Sequence, residues 1–200
     1  MTPPVSRWIE RVRARWSREG LLWRLLAALV LTIYSSAYFV VVPMEWLRDH
    51  GFLRATIIAA FGVCLALLVP IVVQARPRLL EIPLYLVALA LYVLMIRHLD
   101  ILQERFHLIE YGAVAGLAWG ALRARWGPGS GWRQPALGAL LVTTAAGWGD
   151  ELVQAILPNR HYDLRDVLTN AIAGALLLLV LEGRARLRAE RPATAPASSP

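Results

Sequence analysis

Six apolar stretches, each close to the length of a membrane crossing, follow one another along the chain and leave little room for any other fold. They run over 25–42, 53–73, 82–96, 106–122, 136–157 and 166–181. A helix rises about 1.5 Å per residue and the hydrocarbon layer is about 30 Å thick, so a crossing takes about 20 mainly apolar residues. Lipid offers no water to the backbone, and a helix satisfies its own N–H and C=O groups. The expected fold is an all-α polytopic membrane protein, a bundle of about six transmembrane helices. Composition agrees. Apolar residues make up 58% and charged residues 18%, against about 45–50% and about 25% in soluble domains.

Every one of the 21 basic residues is arginine. The lack of lysine excludes Schiff-base lysine chemistry and the lysine-dependent phosphate loop. A single cysteine, Cys64, excludes an intramolecular disulfide and a cysteine-rich metal site. In so apolar a chain the net charge of +7 reads as membrane-side charge, with no nucleic acid as partner. With the N-terminus placed in the cytoplasm, fifteen arginines fall on the inner side and six on the outer. The positive-inside rule therefore puts both termini in the cytoplasm. Residues 1–23 read as a cytoplasmic basic segment. Within it Trp8, Ile9, Val12 and Trp16 alternate with arginines, which suits a helix lying on anionic headgroups or a solvated basic tail. Residues 24–185 form the bundle, and 186–200, rich in proline and small residues, read as a disordered tail.

Charged groups inside a bilayer are costly and ask for a reason. In the fourth stretch His107, Glu110 and Tyr111 stand at i, i+3 and i+4, on one helix face. In the fifth, Asp150 and Gln154 are four apart, with Glu151 beside Asp150. Arg160 lies in the link that follows. Asp163, Asp166, Asn170 and Gly174 then form one narrow helical stripe. In this topology all of them gather near the outer surface, with Glu110 about 6 Å and Glu151 about 9 Å below it. The pattern predicts a polar site open to the outside, with nothing comparable on the inner side. Plainer uses compete: Asp163 as a helix N-cap with Asp166 in the first turn, Asn170 as interhelical glue, Gly174 as a close-packing surface, His107 and Asp150 as interface residues that end a span, and Arg160 as a partner of Asp163 or of lipid phosphates. Glu110 and Glu151, by contrast, lie deeper than short chains can snorkel from.

The run GDELVQAILPNRHYDLRDVLTNAIAG resembles the signature of the VanZ-like membrane family, as does the earlier HLIEYGAVAGL. The matching positions are His107 and Tyr111, then Glu151, Gln154, Arg160, Asp163, Asp166, Asn170 and Gly174. The likeness covers 107–174, about a third of the chain; the first three stretches carry no motif. The family takes its name from a protein linked to resistance to the glycopeptide teicoplanin. The resemblance implies a bacterial inner-membrane protein with a cell-envelope role and supplies no reaction.

Four functions compete on the residues. The first is binding of a lipid-linked or amphiphilic ligand, such as an envelope precursor, near the outer leaflet. The second is an enzyme, with Glu110, Glu151, Asp163, Asp166 and His107 supplying oxygen and nitrogen ligands to a divalent cation or an acid/base pair. The third is a proton-coupled carrier, which a one-sided polar layer disfavours. The fourth is a purely structural bundle. Metal dependence separates the second from the first, and proton-coupled flux marks the third.

Overall fold

Glycine and proline set the ends of the helices that the apolar stretches form. The computed structural model describes residues 4–39, 41–74, 76–98, 104–127, 133–158 and 160–189. Among them lie seven helices: α1 (Pro4–Phe39), α2 (Val41–Asp49), α3 (Leu53–Gln74), α4 (Ile82–His98), α5 (Glu104–Trp126), α6 (Arg133–Ile156) and α7 (Leu164–Ala189). A single 3-10 turn, Leu79–Glu81, leads into α4. Gly51 ends α2 with φ 75°, its N–H bonding to Arg48 O while Phe52 N–H reaches Leu47 O. This is the left-handed stop that glycine adopts without a Cβ clash. Gly127, also at φ 75°, ends α5 the same way through Arg123 O. Pro83 and Pro135 fall in the first turns of α4 and α6, where a missing N–H costs nothing.

Helix α5 occupies the centre. It packs on α1, α6 and α7; α6 also packs on α7, and α4 lies against α7. Small residues make this possible. Gly112, Gly116 and Gly120 recur every fourth position. A Cβ at these three would lie 3.3 Å from the Tyr92 hydroxyl of α4, 3.2 Å from Leu177 of α7 and 3.4 Å from Leu22 of α1. Ala115, Ala118 and Ala121 are fully buried between them. Helices approach closely in membranes through such residues. Leu26, Ile33, Leu108, Val114, Leu122 and Leu178 complete the core.

Much of the outer surface is apolar, while several charged and polar groups are buried beside the apolar core. Leu31, Leu89, Leu141, Ile156 and Leu168 are exposed, while Glu19, Glu81, Asp150, Glu151, Asn170 and Glu182 are buried. That reverses the pattern of a protein surrounded by water. Among the described residues three helices are long and apolar enough to cross a membrane: Ser17–Phe39, Leu79–His98 and Leu164–Ala189. They suggest a multi-pass membrane protein. Helices α5 and α6, of 23 and 24 residues, are as long but carry more polar and small residues.

The structure departs from the sequence reading in two places. The basic N-terminal segment is no separate element: α1 runs unbroken from Pro4 into the first apolar stretch. A short helix of nine residues, α2, follows it, in addition to the six long helices. The residues from 186 belong to α7 as far as Ala189, because Arg188 is tied to the 3-10 turn. The remainder of the expected tail, from 190 onward, lies outside the described residues.

Candidate functional site: a carboxylate-rich layer between α5, α6 and α7

One end of the bundle brings together the end of α1, the start of α5, the end of α6 and the start of α7. Helical spacing places His107, Glu110 and Tyr111 on the face of α5 that turns toward α6. His107 Nδ1 lies 3.5 Å from Glu110 Oε2 and 3.9 Å from Asp150 Oδ2. Its ring also lies 5.9 Å from that of Tyr111, centre to centre. Tyr111 is fully buried and donates to Ala146 O at 3.4 Å; Tyr34 of α1 donates to the same oxygen at 2.8 Å. A Cβ at Gly149 would collide with the Tyr34 hydroxyl, so that glycine lets α1 reach the layer.

On α6 the two adjacent acids differ. Glu151 is fully buried and satisfied. Its Oε1 accepts from Gln154 Nε2 at 3.1 Å and its Oε2 from the backbone N–H of Asp163 at 2.9 Å. Glu151 thereby fastens the α6–α7 link. Asp150 is 1% exposed, and its Oδ2 accepts a long bond from Gln154 at 3.4 Å. Its Oδ1 has no hydrogen-bond partner of good geometry: the nearby Tyr111 hydroxyl acts on the carboxyl but is aimed at Ala146 O. Arg160 is half-buried, and its charge acts on Asp150, but among the described residues it forms no ion pair within 4.0 Å.

On α7, Asp163 caps the helix, its Oδ1 accepting from Arg165 N–H at 2.8 Å. Asp166 is half-buried within electrostatic reach of His107 and Asp150. Asn170 is fully buried, one turn deeper, and neither atom of its amide has a partner. It sits against α6 where a Cβ at Gly147 would stand 3.2 Å from Asn170 Nδ2 and 3.4 Å from the Tyr111 ring. Gly174 lies deeper still and serves packing: a Cβ there would stand 2.8 Å from Thr143 Cγ2 and 3.3 Å from Ala115 Cβ. Of the sequence candidates, His107, Glu110, Tyr111, Asp150, Glu151, Gln154 and Asp166 therefore share the layer, with Asn170 beneath it and Arg160 within electrostatic range of Asp150. Asp163 and Gly174 have local structural uses. Among the described residues no three His, Cys, Asp or Glu side chains are grouped so as to hold a metal ion.

The opposite end corrects the expectation that it carries nothing comparable. Among the described residues three carboxylates are buried there, each facing arginine. Glu81 is fully buried, and Arg188 grips it, Nε 2.6 Å from Oε1 and Nη2 3.2 Å from Oε2. Arg184 Nε stands 3.4 Å from Oε2, and the Tyr85 hydroxyl donates to it at 3.1 Å. Glu182 accepts from Trp119 Nε1 at 2.5 Å and faces Arg123 at 4.0 Å. Glu19 accepts from Trp23 and faces Arg125 at 3.9 Å. These pairs tie α1 to α5, α5 to α7, and α7 to the start of α4. The two ends thus differ in kind: one is neutralised by arginine, the other holds more carboxylate than cation.

Sequence reasoning also missed Tyr34, and Tyr92, whose hydroxyl donates to Ala173 O at 2.9 Å. A tyrosine inside an otherwise aliphatic stretch is the signal that would have found them, since its hydroxyl needs a partner there. Comparison with protein families, with curated proteins and with solved structures finds no match to this chain.

Proposed function

We propose that this chain is a VanZ-like protein of the bacterial inner membrane with a cell-envelope role, teicoplanin tolerance included. In this reading six of its helices cross the bilayer, both termini face the cytoplasm, and the carboxylate-rich layer opens toward the outer leaflet. There it binds a lipid-linked or amphiphilic ligand. One observation carries the reading. Asp150 Oδ1 and both amide atoms of Asn170 are buried without partners at this end, whereas at the other end each buried carboxylate among the described residues faces arginine, Glu182 Oε2, itself without a hydrogen bond, lying 4.0 Å from Arg123 Nη1. Buried polar groups are ordinarily partnered, so an unsatisfied set points to a ligand. The resemblance over 107–174 adds the envelope context.

Two measurements test it. In a strain lacking the protein, the wild-type chain is expected to restore teicoplanin tolerance, and Asp150→Asn to fail at equal membrane abundance. Glu151→Gln is expected to retain most of the effect, because an amide oxygen can still accept from Asp163 N–H. Full restoration by Asp150→Asn removes the layer from the function. Orientation is checked separately. In a Cys64→Ala background, His98→Cys and His161→Cys are expected to react with an impermeant thiol reagent in intact spheroplasts. Protection of both sites, with a cysteine placed in the N-terminal segment labelled instead, reverses the topology.

A second reading has its own observation. His107 stands between Glu110 and Asp150, the arrangement of an acid/base enzyme acting on an envelope lipid. Turnover of a lipid by the purified protein, lost in His107→Gln, distinguishes it from binding alone.

A further inference from the structure

We propose that the carboxylate-rich layer takes up the protonated primary amine of an amphiphile, its ammonium group held by Asp150, Asn170 and His107. The proposal rests on the amphiphile-binding reading above and adds the chemistry of the group that is bound. It starts from a count of donors and acceptors. Asp150 Oδ1 and Asn170 Oδ1 are buried acceptors without partners. His107 Nδ1 is a third unpartnered atom, an acceptor when the ring proton sits on Nε2. Within the Asp150–Asn170 pair, one donor, Asn170 Nδ2, stands against these acceptors. The missing partner must donate more than it accepts. An ammonium group donates three hydrogen bonds and accepts none.

Charge points the same way. Glu110, Glu151 and Asp166 lie within electrostatic range of Asp150 and His107, and the half-buried cations at this end among the described residues are Arg105 and Arg160. At the other end arginine of the chain itself faces each buried carboxylate. Here a cation from outside would do so. The amine's source is either an aminolipid headgroup or a free amphiphilic amine.

The test uses the full chain in phosphatidylcholine nanodiscs, titrated with dodecylamine, dodecyltrimethylammonium and dodecanol. Binding is read by native mass spectrometry and by the rise in Tm. Dodecylamine is expected to bind saturably, about tenfold or more tighter than the other two, because only it supplies several charged N–H donors. Asp150→Asn and Asn170→Leu should each abolish that preference. Where a variant fails to fold, the preference of the wild-type chain for primary over quaternary amine still decides. Given that preference, selective retention of short-chain phosphatidylethanolamine identifies the lipid as source, and its exclusion identifies the free amine. Equal binding of dodecylamine and dodecyltrimethylammonium, or tighter binding of dodecanol, overturns the ammonium proposal and leaves the amphiphile reading standing. No saturable binding of any of these amphiphiles sinks both.

Discussion

Gly174→Leu is expected to keep the bundle from assembling, so that the protein disappears from the membrane fraction. Even a single Cβ at this position would stand 2.8 Å from Thr143 Cγ2 and 3.3 Å from Ala115 Cβ. Thr143 cannot retreat easily: it is fully buried, its branched side chain is stiff, and its hydroxyl is bonded to Ala139 O at 2.8 Å. Gly174→Ala, the smallest change, should lower Tm in detergent by about 3–10 °C, from an overpacking cost of about 1–3 kcal/mol. Adding Thr143→Ser removes the offending methyl and keeps the hydroxyl bond, and should recover much of that loss. Gly183→Ala is the control. A Cβ there meets only the tip of Leu84, the far end of a flexible side chain, and should cost much less. Equal losses at 174 and 183 would show that close packing is not what Gly174 provides.

The second large effect lies at the arginine-rich end. Replacing both Arg184 and Arg188 with methionine leaves Glu81 fully buried with the Tyr85 hydroxyl as its remaining side-chain partner. Removing the partner of a buried ion is worse than removing the ion, because the stranded charge keeps its desolvation penalty. The double variant should lose about 5 °C or more in Tm. Adding Glu81→Gln should restore most of it, although no contact with arginine is regained. Thermal unfolding followed by tryptophan fluorescence measures both. If Glu81→Gln deepens the loss instead, the carboxylate has a partner other than these arginines.

Much of the architecture is legible in the sequence, and the reason is physical. Crossing length and helical period are properties of single segments, so α4 and the apolar half of α1 could be located from their own residues. The grouping of His107, Glu110 and Asp150 was readable for a related reason: helices that start or end at one level put their polar stripes at one level. What could not be read was pairing across the bundle. Glu81 lies before its apolar stretch and Arg188 beyond its own, each an ordinary flanking charge in sequence, and they meet only because α4 and α7 pack together. The same limit explains the misplaced tail boundary at 186. It also explains why Asp150, near the end of its stretch, reads as the plainer of two adjacent acids and Glu151 as the functional one. Neighbours in sequence, they point to different surroundings, one into the Asp163 link and one toward His107.

Helix α5 carries residues of both ends on one uninterrupted rod, without a proline between Glu104 and Trp126. From His107 to Arg123 the rod is about 24 Å long at about 1.5 Å per residue. An α-helix this short twists as a unit, so the azimuth of Trp119 and Arg123 against Glu182 also sets the azimuth of His107 and Glu110 against Asp150. The arginine clamps thus act as a torque arm. They sit at the opposite end of the same helix from the imidazole, so the two chemically unlike ends share one rigid element.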